Sequence, residues 1–211
     1  MRAFIILRRT IVLFVGTICF ANFSFASNPT EPVDMTVFGI HLGKPLGLNE
    51  CPRGDVPIYG TQKYHYVLSV DQNEVCYQVT DGGSKLLSFP LKKGMFPLLV
   101  KPGSMPLLTI IEGNVEGVDV ETNGIELDEE TFNVLVKKYG KPTRLITSEV
   151  KNLSGAQFPA RDAYWKLDGL SVTYKTVTYD LLHGHLSVTT DKATEHTTRE
   201  QIETDTKRIN F

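Results

Sequence analysis

Two-residue turn signals cut the second half of this chain into short apolar runs, and such turns join antiparallel neighbours only. Gly113-Asn114, a dipeptide suited to a type II′ turn, separates residues 107–112 from 115–121. Asp168-Gly169 separates 163–167 from 170–177, and His183-Gly184 separates 179–182 from 185–189. The last turn asks His183 to take positive φ, which His accepts more readily than bulky residues do. Between the first two hairpins the spacing predicts a helix over residues 128–139. Asp128 stands at its N-cap, Glu129 and Glu130 fill the first turn, and Lys137 and Lys138 the last. Gly140 stops it and Pro142 prevents its continuation. Phe132, Leu135, Val136 and Tyr139 fall at i, i+3, i+4 and i+7, one apolar stripe that must cover a sheet face. A strand over 144–150 and a loop over 152–160 follow. The expected class is α+β, an antiparallel sheet with one main amphipathic helix packed on one face and one disulfide.

The first half is more broken. Residues 37–42 read as a short strand, and 43–60 as a long loop with glycines at 43, 47, 54 and 60 and prolines at 45, 52 and 57. Strands are predicted at 64–70 and 74–79, joined around Asp71-Gln72-Asn73, and at 85–91. Pro90, Pro97, Pro102 and Pro106 punctuate an apolar stretch that cannot be a central strand throughout, because proline removes ladder donors. It reads as an irregular edge or an apolar loop.

The amino terminus carries an export signal. Arg2, Arg8 and Arg9 precede an apolar run over 11–20, and Ser24-Phe25-Ala26 ends it with small residues three and one before the cut. Cleavage is expected between Ala26 and Ser27. An uncleaved anchor would have only residues 10–26, near the lower limit of a spanning helix and interrupted by Gly16 and Asn22. Cys19 lacks the small preceding residue of a lipidation site, and Arg8-Arg9 lacks the polar flank of a twin-arginine signal. Three of the 22 basic residues and none of the 24 acidic ones lie in 1–26, so 19 basic face 24 acidic in the rest, a formal charge of −5. That balance makes nucleic acid an unsuited partner. The predicted organisation is signal 1–26, flexible leader 27–35, one domain 36–190 and a polar tail 191–211. The domain divides into a β-rich, disulfide-bearing half 36–106 and a hairpin-helix-meander half 107–190. In the tail only Ile202, Ile209 and Phe211 are large and apolar, which leaves a frayed helix and disorder both open.

After cleavage Cys51 and Cys76 remain, an even pair in a chain bound for an oxidising, periplasmic or secreted space. One disulfide between them closes a 25-residue separation, worth about 3.5 kcal/mol by chain entropy. The competing reading, a reactive or metal-binding pair, lacks a Cys-x-x-Cys motif.

A hairpin, then a helix ending Lys-Tyr-Gly-Lys-Pro-Thr at 138–143, then a meander is similar to small exported bacterial modules. The outer-membrane assembly lipoproteins of the BamE type and the β-lactamase-inhibitor proteins share such a layer. The resemblance covers about residues 107–190, and the BamE type's lipid-modified cysteine and paired preceding helices are missing here. The segment Phe38-Gly39-Ile40-His41-Leu42-Gly43-Lys44-Pro45-Leu46 with Cys51-Pro52 also resembles exported bacterial proteins of undefined role. The resemblance implies protein-binding work in the envelope and carries over no functional residues.

Motifs for chemistry are sparse. No Gly-x-Ser-x-Gly elbow occurs. Gly140-Lys141-Pro142-Thr143 lacks the upstream glycine of a phosphate loop, and a helix C-cap accounts for it. Asp71-Gln72-Asn73-Glu74 lacks the glycine and distal Glu of a calcium loop. His183 and His185 would share a strand face and chelate a metal, but a tight turn at Gly184 would point the rings apart. Tyr64-His65-Tyr66 alternates as a half-exposed strand does; core tyrosines with edge hydroxyls are the preferred reading, and a carbohydrate or peptide platform the alternative. Trp165 is expected under the helix. The preferred partner site is the proline-rich stretch, with Met95, Phe96 and Leu98 as its apolar core and Lys92, Lys93 and Lys101 as its rim. No cofactor is indicated. The leading reading is a non-enzymatic envelope protein that binds another protein; the alternative is a small exported enzyme or a ligand or metal carrier.

Overall fold

The computed structural model describes residues 33–54, 65–66, 74–89 and 97–209. These all fall within one unit, Val33–Phe211, and residues 1–26, read in the sequence as an export signal, lie outside them. In the described residues the architecture is α+β: a large antiparallel sheet with a helix on each face. Its front consists of β1 (Thr36–Val37), β2 (Ile40–His41), β3 (Lys44–Pro45), β4 (Arg53–Gly54), β5 (His65–Tyr66), β6 (Cys76–Val79) and β7 (Lys85–Ser88). Then come β8 (Leu107–Ile111), β9 (Asn114–Thr122), helix α1 (Asp128–Tyr139), β10 (Arg144–Lys151), β11 (Gln157–Leu167), β12 (Leu170–Lys175), β13 (Gly184–Thr190) and helix α2 (Asp191–Ile209). The sheet runs β10-β11-β12-β13-β9-β8-β7-β6, with β3 also paired to β9. Both halves of the chain therefore share one sheet. The paired Cys51 and Cys76 are joined in a disulfide.

Register explains the core. Val118 opposes Val188, Val120 opposes Leu186, Tyr174 opposes Leu186 and Ala163, and Trp165 opposes Val172. All are buried and share one face, because side chains alternate along strands. Helix α1 covers that face as its stripe predicts. Leu135 and Tyr139 are buried, and Phe132 and Val136 pack against the core. Burial of Leu135 alone contributes about 2 kcal/mol. Phe132 and Tyr139 flank the Trp165 ring at 6.2 and 6.4 Å, and the indole N–H donates to the Gly140 carbonyl at 2.8 Å. Gly140, at φ 76°, closes the helix with its N–H on the Val136 carbonyl.

The start of α1 departs from the sequence reading. A 3₁₀ turn, Gly124–Leu127, precedes it, Leu127 holds the cap position, and Asp128 makes no cap bond. Asp128 instead turns inward and is buried. It accepts hydrogen bonds from the Tyr174 hydroxyl at 2.8 Å and the Thr176 hydroxyl at 2.5 Å, and it pairs with Arg161 Nε at 2.8 Å. Arg161 reaches on to Glu129 and lies over the Phe132 ring. Burial first, and then the charge of Asp128, pushes the Tyr174 hydroxyl well above its ordinary pKa.

Several turns also differ. Residues 37–42 form a miniature hairpin, β1 and β2, bent at Phe38 and Gly39, both at positive φ. The Phe38 ring meets Phe89 edge-on at 5.5 Å, packing that holds a bulky residue in this conformation. The β8–β9 turn is Glu112-Gly113, at φ 51° and 85°, a type I′ pattern one residue earlier than Gly113-Asn114. Strand β5 pairs with β4, and the rest of 64–70 lies outside the described residues. Gly184 is no turn residue: it opens β13. A Cβ there would meet the Thr122 side chain and lie 2.7 and 2.8 Å from the Thr176 and Lys175 carbonyl oxygens. Residues 179–182 form turns instead of a strand.

The tail is helical. Thr190 accepts from the Ala193 N–H and donates to the buried Glu116 carboxylate at 2.6 Å, which anchors the start of α2. Glu116 is the extra residue of a bulge where the β8–β9 register shifts between Thr109 and Ile110. Past Ala193 nearly every α2 side chain is exposed. Among the described residues no helix is long and apolar enough to cross a membrane.

Removing the buried carboxylate strands a guanidinium and a phenol beneath α1. Asp128→Ala is expected to lower stability by about 3 kcal/mol in urea unfolding at pH 7. Glu129→Ala, which removes only an exposed partner of Arg161, is expected to leave the urea midpoint nearly unchanged.

Candidate functional site

Two turns meet at Glu121, near the end of β9. The first is 97–101, where the Val100 N–H bonds the Pro97 carbonyl and the Val100 side chain is buried. With Val100 inside, Lys101 lies alongside β9: its N–H donates to the Glu121 carbonyl at 2.8 Å, and its ammonium pairs with the Glu121 carboxylate at 3.5 Å. The second turn is 178–183. It is closed by the Thr178 N–H and hydroxyl, both donating to the His183 carbonyl, and by the Leu182 N–H donating to the Asp180 carboxylate. An aspartate two residues ahead of its N–H partner is an Asx turn.

The side chains of the second turn converge on the same carboxylate. Tyr179 donates its hydroxyl to Glu121 Oε1 at 3.3 Å, and His183 Nε2 lies 3.1 Å from that oxygen. His183 Nδ1 lies 2.5 Å from Asp180, and its ring stacks on Tyr179 with centroids 4.4 Å apart. The bond from His183 is the main cause that holds the Asp180 carboxyl below its ordinary pKa; the Leu182 N–H and the nearby Lys101 charge add to it. Desolvation and Glu121 push the Tyr179 hydroxyl up. Three large side chains on these turns stand in water: Leu98 is 46 % exposed, Tyr179 72 % and Leu182 56 %.

Of the residues singled out in the sequence, Leu98 and Lys101 thus belong to this site, and so does His183. Lys92, Lys93, Met95 and Phe96 lie outside the described residues, as does Tyr64. His185 heads along β13 and lies 3.4 Å from Asp119, one step along the same sheet face. With Gly184 in the strand, the two histidines share that face instead of diverging. Among the described residues no cluster of three or more His, Cys, Asp or Glu is arranged to hold a metal. Trp165 is buried under α1, away from any surface role. Tyr179 and Leu182 went unnoticed in sequence because 179–182 imitates a strand, and Glu121 because it reads as one polar residue of a strand; the Asp180 Asx-turn spacing was the signal for a loop.

A second concavity, about 580 Å³, lies between α2 and the outer sheet face. Thr109, Asp119, Ser187, Thr189, Thr197 and Gln201 line it together with the apolar Ala193 and Ile202, so hydroxyls, an amide and one carboxylate share its walls with hydrocarbon. It holds no nucleophile paired with a base. No family model matches this chain, and no curated protein or solved structure matches it.

The depressed Asp180 pKa has a defined pH signature. Its contribution to holding the turn is present above the unfolded carboxyl value of about 3.9 and is lost as pH falls through the lower folded value. Side-chain carbonyl NMR is expected to show Asp180 titrating below about 3.9, and His183→Ala to return it toward that value.

Proposed function

We propose that this chain is an exported, non-enzymatic protein-binding module of the bacterial envelope, and that its partner docks on the two turns at Glu121. One observation carries the reading: Leu98, Tyr179 and Leu182 stand exposed on turns whose backbone and polar atoms are already locked. A rigid tyrosine with an apolar ring and a polar tip suits the anchor of a protein interface. Because Glu121 and His183 hold its ring before binding, little ordering cost remains for the partner to offset. Lys101, Asp180 and Glu121 form the polar rim such a patch needs. Export rests on the basic, apolar and small-residue pattern of residues 1–26, and the Cys51–Cys76 disulfide suits an oxidising compartment. The similarity of the hairpin-helix-meander layer to envelope assembly and inhibitor proteins points the same way.

A second reading, an exported carrier of a small polar ligand, is favoured by the hydroxyl-lined groove under α2. The two readings separate in one experiment. The full chain with a carboxy-terminal tag, isolated from its own envelope fraction after mild cross-linking, is expected to bring down one stoichiometric protein. Tyr179→Ala combined with Leu182→Ser is expected to lose that protein while the melting temperature stays within a few degrees, as for surface changes. Retention of the partner by the double variant moves the site elsewhere. An empty isolation in every case favours the ligand reading.

A further inference from the structure

The two ends of the sheet are treated differently. At one end β6 is covered: the Cys51 N–H donates to the Tyr77 carbonyl, the Tyr77 N–H donates to the Asn49 carbonyl, and the disulfide ties the covering segment down. At the other end, among the described residues, no strand pairs with the outer side of β10. It pairs with β11 through eight unbroken positions and contains neither proline nor glycine nor a bulge, and seven of its eight residues are exposed. Such an edge is a template for another strand.

The hydrogen-bond pattern shows which groups it offers. Arg161 in β11 turns its backbone toward β12: its carbonyl accepts from the Thr176 N–H and its N–H donates to the Thr176 hydroxyl, both at 3.0 Å. Its partner in β10, Thr147, therefore faces away from β11. By alternation Leu145, Thr147, Glu149 and Lys151 all present N–H and C=O groups outward.

We propose that this edge binds a second copy of the chain, antiparallel, about a two-fold axis through Ser148. Outward-facing residues must oppose outward-facing residues, so the axis falls on a residue, and the side chains choose which one. With the axis at Ser148, Ile146 opposes Val150 of the second copy twice, and Phe158 of β11, beside Val150, extends each apolar row. Thr147 opposes Glu149, and Lys151 lays its aliphatic stem across Leu145, which is 46 % exposed in the single chain. An axis at Glu149 sets that carboxylate against its own copy. An axis at Thr147 sets Leu145 against Glu149 and Arg144 against Val150. Of these three axes, which overlap the most of β10, only that at Ser148 matches apolar with apolar and leaves no like charges directly opposed. Four outward pairs then exchange about eight backbone hydrogen bonds, and the sheet becomes continuous across both copies.

Ser148 of the two copies would form a pair without backbone hydrogen bonds, with Cα atoms about 4.5 Å apart, inside the disulfide range. Ser148→Cys in the full chain, air-oxidised, is expected to give a covalent dimer with the Cys51–Cys76 bond intact. Thr147→Cys, whose two copies lie diagonally at about 7–8 Å, is expected to stay largely uncrosslinked. By analytical ultracentrifugation the unaltered chain is expected to shift from monomer to dimer with concentration. Thr147→Pro removes an outward N–H and no internal bond, so it should weaken dimerisation about tenfold or more without loss of the fold. A chain that stays monomeric at millimolar concentration, Ser148→Cys that crosslinks no better than Thr147→Cys, or a dimer unaffected by Thr147→Pro would each overturn the proposal. If Thr147→Pro does not fold, the cysteine pair decides alone. The Glu121 patch is untouched by all three changes, so partner capture there is scored separately.

Discussion

A buried carboxylate holds this fold together. Asp128 sits at the first turn of α1, yet its oxygens are spent on Tyr174 and Thr176 of the sheet strand and the loop after it, and on Arg161 of the neighbouring strand. An apolar stripe alone lets a helix slide or rotate on a sheet, because burial is non-directional. Three directed bonds to one carboxylate do not. They set the height and rotation of α1, and so bring Phe132 and Tyr139 to either side of Trp165. The same interaction explains why Arg161 faces inward with its guanidinium over Phe132. A charge removed from water this far is stable only while every partner is present.

From that fixed sheet the remaining features follow as consequences of which surfaces are covered. The face under α1 is apolar and aromatic, apart from the Asp128 network. The opposite face carries Asp119, Glu121, His185, Ser187 and Thr189, and α2 crosses it, so the two surfaces enclose a groove of mixed polar and apolar lining. The β6 end is closed by a disulfide-tied segment, and among the described residues no strand pairs with the outer side of β10. Two kinds of exposed, ordered surface result: locked turns with apolar tips at Glu121, and the outward backbone groups of β10.

Local patterns were legible where one periodicity acted alone. The body and end of helix 128–139 were readable, since Gly140 and Pro142 punctuate it and Phe132, Leu135, Val136 and Tyr139 keep a single period. The Asp168-Gly169 turn and the disulfide were readable for the same reason: turn chemistry and an even cysteine pair are local statements. Misreadings arose where neighbours in space overrode local preference. Gly184 resembles a turn glycine, but it is glycine because backbone carbonyls and Thr122 leave no room for a Cβ. Phe38 accepts positive φ because Phe89 receives its ring. Asp128 resembles a cap, yet Tyr174 and Arg161, dozens of residues later, draw it inward.

The amino-acid sequence by itself determined the α+β class, the antiparallel pairing, the cysteine bridge and the one strong helix, since turn residues, helix stops and apolar periods act over a few neighbouring positions. Tertiary structure alone decided that both halves share one sheet, that Glu121 gathers Lys101, Tyr179 and His183, and that among the described residues β10 rather than β6 has no strand on its outer side. Those outcomes depend on residues far apart in the chain, and the free energy of bringing them together is a property of the whole packed sheet, invisible to any local window.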